Sequence, residues 1–546
     1  MDPVGDGAGT PFLDAVEREL LAVSPGLRGT VWERTAGNWL DAAKGDPASW
    51  ILQVPDCWGF GGERFEKPGV RAFLDRVTAN IAAAERSVDI TTFGMPPLPG
   101  SPVEEYPDGA FLEAIAAGLK VAAGAAVRGG RRLKVRVLAG VLNVDVFVSP
   151  WGFRDRLIRM IGDASAAVDF SVAAMTTRGC TSYNHTKFVL VDGVAVIHGG
   201  INWMTNFYIE DGPYGSRGFG GSAPVTDLDI ALRGPAAMSA GKFLDVLWAW
   251  TRRNASTSAR LGCAAWLATN HDRVEECDAS LYAGPVPSGD GPLEVISVGS
   301  LGYGIAPCDP TSEYRPPPVA QIEQAACDYW LWGARSNNET NTDRDFMTVN
   351  PDANAIRALV AAARRKIVLS QQDINGYGHM PLYHALFDVR LLDVLAAKLT
   401  ADPPVKVRIV LSNPGYPDYS NIASIGEAAN AIFRRVRLLT GSTEAAQRAM
   451  AENLQLAPLR VSDRPTWPNG YKYRLHTKVV CVDDRAFYVG SRNAYPDTTQ
   501  DHGFIIEDAA AAAQLNAVFL DRQWRYSKAA AVYDWETNPG TRTAKL

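Results

Sequence analysis

Apolar positions along the chain fall into two rhythms, one of period two and one of about 3.6. Ser87-Val-Asp-Ile-Thr-Thr-Phe93 and Leu133-Lys-Val-Arg-Val-Leu138 alternate as half-buried strands do, and the segment from Gly109 to Lys120 between them reads as a helix. The pattern then recurs. A helical stretch ending at Arg86 leads into the first strand, and one ending at Arg365 leads into Lys366-Ile-Val-Leu-Ser-Gln-Gln372. Val389 to Leu399 reads as the matching helix, and Val405-Lys-Val-Arg-Ile-Val410 nearly copies the earlier strand. The repeat is far longer than the roughly 20–50 residues of a solenoid unit. It predicts an α/β fold of two similar lobes, each a mainly parallel sheet flanked by helices, with the functional site where they meet. The expected division is an N-terminal lobe over 1–290, a Gly/Pro-rich connection and lobe-packing segment over 291–345, and a C-terminal lobe over 346–546. Gly and Pro from about 283 to 318 predict a long surface connection. Gly212 to Ser222, eleven residues with five glycines, predicts a loop.

Composition narrows the function. The 546 residues are 47% hydrophobic and 21% charged, as in ordinary globular chains. Lys+Arg number 54 against 60 Asp+Glu, a net charge of -6. That balance counts against a nucleic-acid partner but allows a local basic pocket for one phosphate. No run of about 18 apolar residues occurs, so no transmembrane segment is expected. Met1 to Gly7 has neither the basic start nor the apolar run of a signal peptide. Of seven cysteines, Cys481 lies in an apolar strand pattern and reads as core. Cys263 with Cys277, and Cys308 with Cys327, close short loops: disulfides in an oxidising compartment, free thiols in a reducing one. Cys263, His271 and Cys277 match no usual zinc spacing.

Each half ends in the same constellation. Asn184-His185-Thr-Lys187 runs through an apolar stretch to Asp192 and then to Gly199-Gly200-Ile-Asn202. Leu475-His476-Thr-Lys478 runs likewise to Asp483 and Gly490-Ser491-Arg-Asn493. Both copies obey His-x-Lys-x4-Asp-x6-Gly-Gly/Ser-x-Asn without a slip. His and Lys two apart on a strand project from one face, so both can reach one ligand. Asp192 and Asp483 fall where the apolar run ends and read as turn or pairing residues. At Gly200 and Ser491 a small residue lets backbone N–H groups approach an anion. Two such half-sites face to face form a positive pocket for a phosphodiester. Lys187, Lys478, Asn202 and Asn493 would stabilise charge on its equatorial oxygens. One imidazole would attack phosphorus and become a phosphohistidine, while the other protonates the leaving alcohol and deprotonates the incoming one. This chemistry needs no metal or other cofactor.

These residues resemble the phospholipase D superfamily, whose signature is the duplicated His-Lys-Asp motif, and within it the single-chain Streptomyces-type bacterial enzymes. The likeness runs from Ser24-Pro-Gly-Leu-Arg-Gly-Thr-Val-Trp32 to Ala531-Val-Tyr-Asp-Trp535 and includes Ser370-Gln-Gln-Asp-Ile-Asn375 and Asn453-Leu-Gln-Leu-Ala457. The resemblance implies His185 as nucleophile, His476 as general acid and base, and Asp227 and Asp501 as carboxylates set against the two imidazoles. It implies hydrolysis of phosphatidylcholine to phosphatidic acid and choline, and transfer of the phosphatidyl group to alcohols. The substrate would be a phospholipid at a membrane or micelle surface, with water or an alcohol as acceptor, and the enzyme a secreted monomer. Tyr208, Tyr419 and Trp203 (one residue before Met204, which stands where the family has an aromatic) would shape the headgroup site. A same-superfamily phosphodiesterase acting on nucleic acid or another headgroup, and an inactive lipid-binding protein, are the competing readings.

Overall fold

A computed structural model describes residues 9–62, 66–93, 109–140, 150–178, 182–203, 208, 224–254, 265–269, 279–302, 305, 309–314, 347–376, 386–414, 422, 424–468, 470–495 and 497–537. The expected loop at 212–222, Tyr419, Met204, and Cys180, Cys263, Cys277, Cys308 and Cys327 lie outside them.

The fold is α/β and built twice. In the N-terminal lobe, strand Ser87–Phe93 pairs in parallel with Leu133–Gly140, which pairs in parallel with Val168–Arg178. On its other side Ser87–Phe93 meets Phe188–Val191 antiparallel, and Ala195–Gly199 and Val225–Arg233 follow, also antiparallel. The C-terminal lobe repeats this order. Leu454–Pro458, Lys406–Leu411 and Lys366–Gln371 are parallel, and Lys478–Val482, Ala486–Gly490 and His502–Glu507 are antiparallel. Each sheet is therefore mixed rather than mainly parallel. The cause is local. Asp192 and Gly193, and Asp483 and Asp484, all have positive φ (55°, 69°, 52° and 55°), and these consecutive left-handed residues fold each motif strand back on itself as a hairpin.

The hairpin turn is also pinned from outside. Asp192 accepts the backbone N–H groups of Glu85, Arg86 and Ser87 at 2.7–2.8 Å. Asp483 accepts those of Arg364, Arg365 and Lys366 at 2.7–2.8 Å. The motif aspartates are thus turn residues that close the entry of the neighbouring strand.

Side-chain alternation sorts the motif strands between two layers. Val189 and Val191 join the core under helices Pro68–Ala82 and Gly109–Arg128, while Phe188 and Leu190 enter a core shared by both lobes. Val480 and Val482 face the C-terminal helices, while Val479 and Cys481 enter that shared core. Burial pushes the Cys481 thiol up to about 12, which makes it an inert core residue. Helix Gly109–Arg128 is long and apolar enough to cross a membrane by length and composition alone. It packs as a core helix, burying Phe111, Leu112, Ile115 and Leu119.

The chain does not divide at a single linker. Helix Pro11–Val23 buries Phe12, Leu13, Val16 and Leu20 in the C-terminal core. Strand Leu293–Gly299, inside the stretch expected to be surface connection, pairs with His502–Glu507 and lies in the C-terminal sheet. Strand Trp32–Leu40 pairs with it along most of its length and ends against Val225–Arg233 of the other lobe. Asp483→Ala removes the acceptor of three backbone N–H groups and puts a Cβ-bearing residue with no local hydrogen bond at positive φ. It should cost about 2–4 kcal/mol in urea unfolding. Asp483→Asn, which keeps an acceptor and tolerates that backbone, should cost clearly less.

Candidate functional site

The two motif histidines converge, and each is held by the opposite lobe. The His185 N–H donates to the carbonyl of Gln500 at 2.9 Å, and the His476 N–H to that of Thr226 at 2.9 Å. The next residue in each case is the partner carboxylate. His185 Nδ1 lies 2.8 Å from Asp501 Oδ1, and His476 Nδ1 lies 2.7 Å from Asp227 Oδ2 and 2.9 Å from the Gly200 carbonyl. All these neighbours are acceptors, so Nδ1 carries the proton and the lone pair sits on Nε2. The pairing is crossed: the N-terminal imidazole takes the C-terminal carboxylate, and the reverse.

Behind each imidazole the intervening threonine is fixed to the neighbouring strand. Thr186 donates to Thr91 at 2.8 Å, and Thr477 and Ser370 lie 2.7 Å apart. Lys187 Nζ donates to the His185 carbonyl and Lys478 Nζ to that of His476, both at 2.5 Å. This gives each half-site the same ammonium position. Asn202 and Asn493 are buried, and the carboxamide oxygen of each has no hydrogen-bond partner. An unpaired buried amide in the same place of both lobes marks the site rather than the core.

Burial sets the electrostatics. It draws Lys187 down to about 8 and Lys478 to about 7, against Asp501 and Asp227. Burial and the Lys187 ammonium draw His185 down to about 4, and burial, Lys478, Lys187 and His185 hold His476 well below the usual imidazole range. Both rings are neutral at neutral pH, with a lone pair available. Asp227 is pushed up to about 7 by burial, despite Lys478, the Leu228 N–H and the Tyr208 hydroxyl. Burial pushes Asp501 the same way, but His185, Arg492 and the Ser491 hydroxyl outweigh it and hold Asp501 below the usual carboxylate range.

Several expected roles change. Gly200 and Ser491 do not offer their N–H groups to an anion, because these already donate to the Leu228 and His502 carbonyls. Gly200 instead makes room: a Cβ there would collide with Asp227 Oδ1 and lie 2.9 Å from the His476 carbonyl. Ser491 turns its hydroxyl onto Asp501 Oδ1 at 2.6 Å. Trp203, 1% exposed, packs edge-on against Phe73 and Phe111 and does not line a headgroup site. Tyr208, 0% exposed, accepts the Asn202 N–H and donates to Asp227 at 2.9 Å, so it braces a carboxylate. The aromatics beside the site are others. Phe93 and Tyr183, both partly exposed, stand edge-on to His185 at 6.2 and 6.1 Å between ring centroids. Phe93 ends its strand where the second repeat has Gln372, so nothing in the repeated pattern marks it.

A doubled α/β fold with crossed imidazole–carboxylate pairs and two ammonium groups in one buried site defines a phosphodiester-processing class of enzyme. The chain belongs to the phospholipase D family: it is 44% identical over 535 residues to phospholipase D of Streptomyces antibioticus, covering 96% of this chain and 88% of that protein. No family model matches the sequence. Among solved structures it is similar to the phosphatidylserine synthase of Haemophilus influenzae, at 14% identity and a TM-score of 0.45, covering 94% of this chain and 91% of that one.

Gly200→Ala should leave the fold intact by circular dichroism while displacing Asp227. Displacing the carboxylate that holds His476 should lower kcat by about 10²-fold.

Proposed function

We propose that the enzyme hydrolyses the distal phosphodiester bond of glycerophospholipids, phosphatidylcholine among them, and passes the phosphatidyl group to water or an alcohol through a covalent phosphohistidine. The observation that carries this reading is the crossed pair of neutral imidazoles, each with Nδ1–H on a carboxylate and its lone pair on Nε2. His185 Nε2 attacks phosphorus, and the bond to the headgroup oxygen breaks. His476, which takes up a solvent proton on Nε2 as the anionic diester binds beside it, gives that proton to the leaving alcohol, then takes one from the incoming water or alcohol, which displaces His185. Lys187, Lys478, Asn202 and Asn493 oppose the charge gathering on the equatorial oxygens. The ionised Asp501 favours His185 as nucleophile, since a carboxylate that keeps its charge raises the basicity of the ring it holds. Action as an exported monomer at a lipid–water surface rests on the family likeness.

His185→Ala should abolish headgroup release and transfer alike, and ethanol should divert wild-type product into phosphatidylethanol. In a His476→Ala background labelled phosphate should accumulate on His185; label on His476 in the reciprocal variant alone would reverse the roles. The lysines set the alkaline side of the pH profile. Free-enzyme kcat/KM should fall as pH rises through about 7 to 8, where Lys478 and then Lys187 lose the charge that attracts the diester. The fall in kcat should come at higher pH, because the bound anion helps both lysines keep their protons.

A further inference from the structure

The two half-sites share one sequence spacing and matching contacts, and they differ at a few positions around the carboxylates. Gly200 corresponds to Ser491, and Ile201 to Arg492, in the Gly-Gly/Ser-x-Asn segments. Two residues before the partner carboxylates, Val225 corresponds to Thr499. All three changes replace an apolar or absent side chain by a donor, and all three surround Asp501 rather than Asp227. Ser491 Oγ donates to Asp501 Oδ1 at 2.6 Å and Thr499 Oγ1 to Oδ2 at 2.5 Å. Arg492, 3% exposed, places a guanidinium in the same buried cluster, bonded to Asp497 at 2.7 Å. Asp227 has two donors of its own besides His476, the Tyr208 hydroxyl and the Leu228 N–H, each at 2.9 Å. The number of bonds is therefore equal. What differs is that the bonds to Asp501 are shorter and lie beside a buried cation.

We propose that Thr499, Ser491 and Arg492 are positioning residues that fix the negative charge on Asp501 and thereby assign the nucleophile's role to His185 within an otherwise symmetric pair. This rests on the phosphohistidine reading above and explains which of two equivalent rings is used. Facing Asp501 are His185, Lys187 and Lys478 at the site, and Arg492 with Asp352 and Asp497 in its own lobe. Tyr488, His198 and His502 also sense it, and burial keeps all three neutral. Burial pushes Asp352 and Asp497 up, with Arg492 acting against it on both.

The test isolates the first half-reaction by using phosphatidyl-p-nitrophenol in mixed micelles, whose leaving group departs without help from His476. Thr499→Val and Ser491→Gly copy the other half-site. Each should slow the nitrophenol burst about tenfold in mildly acidic buffer and move the acid limb of kcat/KM up by about one pH unit. The direction follows because removing a donor to the carboxylate makes the pair easier to protonate. Thr499→Ser, which keeps the hydroxyl, should restore both. A wild-type burst and limb in Thr499→Val, or equal impairment in Thr499→Ser, would overturn the proposal; if Thr499→Val does not fold, Ser491→Gly decides alone. A wild-type enzyme with no burst, or labelled on His476, would instead remove the parent reading and this inference with it.

Discussion

The hydrogen bond from each imidazole to a carboxylate of the other lobe is the constraint on which the site depends. Neither lobe carries a complete half-site. Among the described residues Asp501 is what fixes the His185 tautomer, and it immediately precedes strand His502–Glu507 of the opposite sheet. The backbone bonds that precede these contacts, His185 to Gln500 and His476 to Thr226, set the register, so the carboxylates arrive opposite the rings as a consequence of strand geometry. Lobe docking and catalytic assembly are thus one event. The shared core, with Phe188, Leu190, Val479 and Cys481 on its two sides, supplies the apolar contact that holds the lobes in that register.

Such an arrangement is costly to bury. Two imidazole–carboxylate pairs and two ammonium groups lie out of water, and the lowering of both lysines and the raising of Asp227 record that cost. The empty site is a poor place for cations. It becomes a good one only when an anion stands between them, which makes the strain of the free enzyme a preference for the phosphodiester and, more so, for the charge that builds on it in the transition state.

Much of this was legible in the sequence, for physical reasons that also explain what was not. Val389–Leu399 is read from periodicity because one stripe of it is buried, whereas Ser87–Phe93 and Lys366–Gln371, buried on both faces, are read as short runs rich in apolar and β-branched residues. The His-x-Lys spacing was legible because two residues apart means one face. Strand direction was not, since alternation is identical in parallel and antiparallel strands. Asp192 and Asp483 mark a turn at the end of each apolar run, but neither says that the chain folds straight back into a hairpin. Trp203 and Tyr208 were misplaced because closeness in sequence to Asn202 does not say which side of the strand end a ring takes. Thr499 carried no local signal at all: its meaning comes from Asp501 two residues on and from the Val225 that stands in its place elsewhere.

Duplication suits displacement at phosphorus for a geometric reason. The entering and leaving groups lie on opposite sides of the atom, and a repeated half-site supplies one imidazole for each side in the proposed reaction. The same symmetry creates a difficulty, because identical rings would compete to attack and the wrong one would leave the headgroup oxygen without an acid. Symmetry must therefore be broken where it costs least. In the proposed reaction the reacting groups themselves cannot differ, since it uses both rings, both lysines and both asparagines. The change falls one layer out, in the surroundings of the carboxylates, where Ser491 stands in place of Gly200 and Arg492 in place of Ile201. A hydroxyl or guanidinium there alters which ring is the better nucleophile while leaving untouched every atom that meets the phosphate.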